Sequence, residues 1–259
     1  MSFFKRVFSS IGIGSAKVDT ILDGDTFAPG EMIEAVVQIK GGGVAQQIDD
    51  IYLSIHSTYL AEREGPDDEE TTVEAVAVLD KFRLAETLSV EPGQIEEIPF
   101  EFELPLDTPL TMGSTKVWIQ TGLDIKKAVD PGDRDYIHVQ PDDLQGAVFR
   151  SLEELGFVLR EAACEEASHW KNRLPFLQEF EFKPHGGPFS GRLDEVEIVF
   201  FSEGETLEVL MEVDRRARGF RGFMDEALGR DESMVRFEVI PEELDDLTDN
   251  LYEMINNFC

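Results

Sequence analysis

Apolar and polar side chains alternate along much of this chain, and a repeat of two is what a half-buried strand requires, because successive residues point to opposite faces. Within residues 31–40, Ile33, Ala35, Val37 and Ile39 fall on one face, and Glu34, Gln38 and Lys40 on the other. Ile51, Leu53 and Ile55 repeat the pattern, and Ile98, Phe100, Phe102 and Leu104 repeat it against Glu97, Glu101 and Glu103. Residues 16–22, 82–90, 116–120 and 135–140 are further predicted strands. Pro29-Gly30, Gly41-Gly42-Gly43, Pro92-Gly93 and Pro131-Gly132 punctuate them as turns. The acidic stretch 65–70, with Pro66, is predicted to be a mobile loop.

At Pro141-Asp142-Asp143 the period changes. Asp142 or Asp143 can cap a helix in which Leu144, Val148, Leu152 and Leu155 recur at helical spacing, ending near Gly156. Alternation then resumes. Phe180 and Phe182 oppose Glu179, Glu181 and Lys183; Val196, Ile198 and Phe200 oppose Glu195 and Glu197. Leu207, Val209, Met211 and Val213 oppose Glu208, Glu212 and Asp214, and Val235, Phe237 and Val239 add one more strand. From Pro241 a helical stripe of Leu244, Leu247, Leu251, Met254, Ile255 and Phe258 forms an amphipathic C-terminal helix. It either packs on the second domain or serves docking and self-association.

Many short strands with few helical stretches predict an all-β protein of two antiparallel β-sandwiches. The first spans residues 1–141. The second spans 142–259, with a helix between them and the C-terminal helix from about 241.

With 259 residues and 42% hydrophobic content the chain can bury a sizeable core, and no apolar run approaches a membrane span. Residues 1–14 place Lys5 and Arg6 among Phe3, Phe4, Val7, Phe8, Ile11 and Ile13. This apolar part is too short and broken for an export signal, and reads as an amphipathic segment docking on the body. Two cysteines, Cys164 and Cys259, make no disulfide framework, so a reducing cytoplasm is the expected home. The charge balance narrows the partners. Fifty-four Asp and Glu against 23 Lys and Arg give −31, a surface that repels nucleic acid and anionic lipid.

Several segments are similar to the bacterial sporulation-control proteins. They include Ser2-Phe3-Phe4-Lys5 with Gly12 and Ala16-Lys17-Val18-Asp19-Thr20, then Pro29-Gly30-Glu31. Phe100-Glu101-Phe102-Glu103-Leu104-Pro105 resembles an arrestin-like strand ending, continued by Leu106-Asp107-Thr108-Pro109. Gly122-Leu123-Asp124-Ile125, Leu174-Pro175-Phe176, Glu181-Phe182 and Gly191-Arg192-Leu193-Asp194-Glu195-Val196-Glu197 extend the likeness over nearly the whole chain. The resemblance implies an arrestin-like pair of β-sandwiches, a cytoplasmic regulator of sporulation, cell cycle or envelope, and no catalytic centre or cofactor. Function is less safely carried by a fold than architecture is.

Candidate chemistry is sparse. There is no Gly-x-Ser-x-Gly elbow and no P-loop, and Gly12-Ile13-Gly14 is half a dinucleotide fingerprint with no strand before it. His56, His138, His169 and His185 stand far apart. Asp23-Gly24-Asp25 and the run from Asp130 to Asp135 offer oxygens to calcium, without the EF-hand order. A carboxylate-based calcium-binding protein or hydrolase is therefore the alternative reading. The one basic concentration is Arg215, Arg216, Arg218 and Arg221, interleaved with Phe220 and Phe223. Guanidinium forks there form a candidate partner site, or pair with glutamates of the same chain. The leading expectation is a non-enzymatic scaffold or adaptor for protein partners, presenting sheet edges and loops.

Overall fold

The structure is a computed structural model that describes residues 15–64, 70–125, 132–167, 173–214 and 234–259. Among the described residues there are thirteen strands and two α-helices, so the all-β expectation holds. The chain divides into two compact units, each assembled from more than one segment.

Unit 1 comprises residues 1–57, 78–105 and 116–138. Strands β1 (Lys17–Leu22), β3 (Met32–Lys40) and β6 (Ile95–Glu103) form a three-stranded antiparallel sheet in the order β1-β3-β6. Facing it are the first part of β4 (Gln46–Glu64), β7 (Val117–Ile125), β8 (Gly132–Val139) and the short β2 (Thr26–Phe27), with β5 (Glu70–Val90) paired to β4. The alternation of β3 is followed residue by residue: Ile33, Val37 and Ile39 are wholly buried, while Met32, Glu34 and Lys40 are exposed. Val18, Val37, Ile39, Ile48, Ile51, Val90, Leu123 and Ile125 meet in a core closed by Leu84, Leu88 and Ile98. At ~25 cal/mol per Å², each such side chain stabilises the fold by ~1.5–3 kcal/mol. A buried bond between the Thr20 and Thr121 hydroxyls, 2.7 Å long, satisfies the polar atoms under this core.

Unit 2 comprises residues 58–77, 106–115 and 139–259. Its sheet runs β13 (Met234–Val239), β12 (Thr206–Asp214), β11 (Glu195–Glu203), β10 (Phe176–Pro184), β9 (Phe157–Glu166), antiparallel throughout. The far end of β4 joins it in parallel, with Leu60 opposite Glu165. Helix α1 (Asp143–Glu154) lies on one face, Phe149 touching Phe180, Phe182 and Phe200. Asp142, not Asp143, caps it. The Gln145 N–H donates to Asp142 Oδ1 at 2.8 Å and the Asp142 N–H donates back to Gln145 Oε1 at 3.2 Å. After the helix, Gly156 at φ 89° passes so close to Gly186 that a Cβ would sit 2.7 Å from its carbonyl oxygen. Only glycine fits there.

A 3₁₀ turn (Pro241–Asp246) leads into helix α2 (Leu247–Asn256), which buries Leu247, Leu251 and Ile255. The Thr248 hydroxyl bonds Ser151 Oγ and Glu154 Oε2, both at 3.0 Å, tying α2 to α1. The packing alternative is therefore the one seen.

Unit 1 lies wholly before the 141/142 boundary read from the sequence, while unit 2 also takes in residues 58–77, 106–115 and 139–141 from before it. The reason lies in strand length. β4 and β5 run for 19 and 21 residues, against the usual 3–10, and each leaves one unit for the other. Of the loop predicted at 65–70, residue 70 opens β5 and residues 65–69 lie outside the described residues, as does the amphipathic segment 1–14.

Candidate functional site: an acid-rimmed groove and a carboxylate face

On the outward face of the three-stranded sheet, register sets Ile21 beside Val36 and Val36 beside Pro99. These apolar residues form one rung across three strands. One rung further along, Glu34 stands opposite Glu101, and the Asp23 N–H donates to the Glu34 carbonyl at 3.0 Å. Together with Leu22, Ala35 and Phe100 they line a groove of about 530 Å³. Ile21 is 45% exposed, and Glu34 and Glu101 are open to solvent. Among the described residues, no Lys or Arg pairs with Asp23, Glu34 or Glu101. The groove thus offers an apolar floor beside uncompensated negative charge. It suits an apolar side chain next to a cationic one.

The second concentration of chemistry lies on unit 2. Glu179 and Glu181 of β10, Glu195 and Glu197 of β11, and Glu212 of β12 share one face, with Glu181 directly opposite Glu197 and Glu197 opposite Glu212. Sequence alternation predicts these as the polar, outward side. The structure corrects this, since all five are at most 7% exposed. Alternation shows that two faces differ, not that the polar one is wet.

Burial dominates their acidity. It pushes Glu197 up to about 8, with Glu195, Glu212, Glu181 and Asp214 adding repulsion. Glu179 is raised well above its ordinary range by burial and then by Glu165, Glu197 and Glu212. Neither carboxylate oxygen of Glu179 has a hydrogen-bond partner. Burial likewise raises Glu195, which also hydrogen-bonds Glu181. Lys183 compensates that end, its Nζ 2.9 Å from Glu181 Oε1 and 3.5 Å from Glu195 Oε2. A buried, proton-holding carboxyl is the group a hydrolase would use as its acid. At 1% exposure for Glu179 and 6% for Glu197, a substrate has no contact with them.

The model of the Spo0M family, described as SpoOM protein, matches residues 4–217. The chain belongs to this family. It is 43% identical over 255 residues to the sporulation-control protein spo0M of Bacillus subtilis (strain 168), covering 98% of this chain and 96% of that protein. The crystal structure of Spo0M from Bacillus subtilis superposes with a TM-score of 0.86 at 41% identity, covering 95% of this chain and all of that one.

In this Spo0M-family chain the other sequence candidates are dispersed. Arg215, Arg216, Arg218 and Arg221 lie outside the described residues, as do Asp130 and His169. Among the described residues no three His, Cys, Asp or Glu side chains are grouped to hold a metal ion. Asp133 and Asp135 stand two apart on β8. Burial, then Asp133, raises Asp135 to about 7, and Asp133 Oδ2 accepts the Thr20 N–H at 2.8 Å. These acids are thus tied into the fold of unit 1. His56 stacks on Trp118, ring centroids 5.3 Å apart, and Ser54 Oγ lies 2.8 Å from its Nε2; His138 is on β8 and His185 in unit 2. Cys164 and Cys259 are free, and burial pushes the Cys164 thiol up to about 12, which removes thiolate chemistry at neutral pH. No helix among the described residues is long and apolar enough to cross a membrane.

Sequence reasoning missed the groove, although it placed Glu34 and Glu101 correctly outward. The rung exists only through strand register, which no single segment encodes.

Proposed function

We propose that this protein is a non-enzymatic regulatory adaptor in sporulation-related control, acting in the cytoplasm by holding protein partners. Membership of the Spo0M family and 43% identity to a sporulation-control protein support the regulatory role. The observation that carries the adaptor reading is the groove on β1, β3 and β6. Its apolar rung of Ile21, Val36 and Pro99 lies next to Asp23, Glu34 and Glu101, in a chain of net charge −31. The partner class this fits is a protein segment with an apolar or aromatic anchor beside Lys or Arg. Long-range attraction by so acidic a surface speeds encounter with a basic segment, and the apolar rung holds it.

Capture from the native host tests this, comparing the unaltered chain with Glu34→Lys/Glu101→Lys. Both positions are exposed strand sites, so the fold is expected to persist. Loss of specifically crosslinked partners is the expected result. Recovery of the same partners at the same yield would remove the groove from the mechanism.

A further inference from the structure

The other sheet of unit 1 carries a second surface, of opposite character to the groove. On β4, β7 and β8 the odd positions Leu53, Ile55, Ile119 and Ile137 are buried in the core, so the even positions face outward. Register sets His56 opposite Trp118 and Trp118 opposite Tyr136, and the next rung is Ser54, Gln120 and Arg134. The first rung is a ladder of rings. His56 stacks on Trp118, and Tyr136 tilts against the indole with centroids 5.7 Å apart. The Arg134 guanidinium lies over Trp118 at 4.9 Å, and its Nη2 donates to Gln120 Oε1 at 3.3 Å. One rung further, Tyr52 stands opposite Gly122, where a Cβ would run into the Tyr52 ring, and Lys81 Nζ of β5 sits 4.2 Å from the centre of that ring.

In a chain of net charge −31 a cation has carboxylates to choose from. Arg83 takes one, Asp50. Among the described residues neither Arg134 nor Lys81 is paired with an Asp or Glu; each is exposed and held over an aromatic ring instead. The chain neighbours of Arg134 do not neutralise it, since Asp133 and Asp135 lie on the opposite side of β8, Asp133 accepting the Thr20 N–H. The positive field is felt at His56, whose proton affinity is lowered by burial, then by Arg134 and Lys81. A further donor is unsatisfied here, because Trp118 Nε1 is buried without an acceptor. Tyr136, 57% exposed, gives the face an aromatic rim.

We infer that this face binds an acidic segment of a partner protein, its carboxylates on Arg134 and Lys81 and an aromatic side chain against Tyr136. A guanidinium stacked on a ring keeps its N–H edge free for bidentate contact with a carboxylate, and the stacking has already fixed its position. Three strand spacings and one rung separate Lys81 from Arg134, ~15 Å, which ~5 extended residues span. Single-stranded nucleic acid would also offer negative charge and rings. Its charge recurs at every nucleotide and runs on over the acidic remainder of the surface, whereas a short acidic segment places charge only where the cations are. The inference stands apart from the groove, which lies on the other sheet of unit 1 and suits a basic segment; with both, the adaptor has two ends of opposite charge.

Trp170→Phe leaves Trp118 as the single tryptophan of the full chain. Its fluorescence is followed in about 0.15 M salt as a synthetic heptapeptide of glutamates around one phenylalanine is added, together with the amide signals of Trp118, Arg134 and Tyr136 and the ring signals of His56. Saturable change at this face is expected, and His56 titrates at higher pH once the peptide offsets the two cations. Lys81→Gln/Arg134→Gln weakens binding ~10-fold or more, while Glu34→Lys/Glu101→Lys, beyond the screening length, leaves it within ~2-fold. Loss of the groove reading therefore does not touch this result. Absence of a saturable change overturns the inference, as does equal binding of the same peptide with glutamine for glutamate, or equal binding by Lys81→Gln/Arg134→Gln. Tighter binding of a thymidine oligonucleotide than of the peptide overturns it in favour of nucleic acid.

Discussion

Replacing Glu197 by glutamine should stabilise unit 2 more as pH rises. Glu197 is 6% exposed, faces Glu181 and Glu212 across the strands, and has Glu195 on its own strand. Its proton affinity is lifted from 4.5 to about 8. Between these values the folded chain holds a proton that the unfolded chain has lost. The contribution is therefore full below about 4.5, and stability declines as pH climbs through about 8. The whole interval is worth at most ~5 kcal/mol, at ~1.4 kcal/mol per tenfold in affinity. Water and Lys183 at the edge of the cluster screen roughly half of this. Glutamine keeps the shape and cannot ionise. Its advantage over Glu197 should grow by ~2 kcal/mol, ~30-fold in opening equilibrium, from about pH 5.5 to about pH 9. Amide hydrogen exchange of β10–β12 peptides, taken as variant over unaltered chain at each pH, cancels the intrinsic pH effect and reads this directly. A ratio that stays flat across that range refutes the assignment of a proton to Glu197.

Three further outcomes follow from packing. Gly156→Ala forces a side chain onto the Gly186 carbonyl at φ 89° and should cost more than ~2 kcal/mol, visible as a lower urea midpoint; an unchanged midpoint would show that this junction can relax. Leu251→Ala empties a wholly buried site under α2 and should cost ~2–5 kcal/mol, with exchange protection lost first in α1 and α2; protection lost uniformly would argue against a local α1–α2 pair. Thiol reagents at pH 8 should modify Cys259 and leave Cys164 untouched in the native protein, both reacting after unfolding; rapid native labelling of Cys164 would contradict its burial.

The extent to which the sequence foretold the structure depended on what each signal measures. β3 and β6 were legible because Ile33, Ala35, Val37 and Ile39, and Ile98, Phe100 and Phe102, recur at every second position, and the Asp142-Asp143 pair ahead of a helical repeat announced α1. β9 was missed because Phe157–Glu166 runs apolar, charged, then small, with Ala162, Ala163 and Cys164 consecutively buried. β4 was recognised around Ile51, Leu53 and Ile55 but not through Glu64, since its far end passes into a different packing environment. The glutamates of β10, β11 and β12 had the right period and the wrong surroundings, because what covers a face is decided by distant parts of the chain. The groove was illegible for a related reason. Ile21, Val36 and Pro99 are far apart in sequence, and only two registers make them neighbours.

The interleaving of residues 58–77 and 106–115 with the C-terminal part of the chain has an evolutionary corollary. No single genetic break-point separates the two bodies. A crossover at residue 141 would leave the C-terminal product without residues 58–77 and 106–115 of unit 2, while the N-terminal product kept them beside all of unit 1. Modules divisible at one joint can be shuffled between genes, duplicated or fused to new neighbours. This one has no such joint, because unit 2 draws two of its segments from between segments of unit 1.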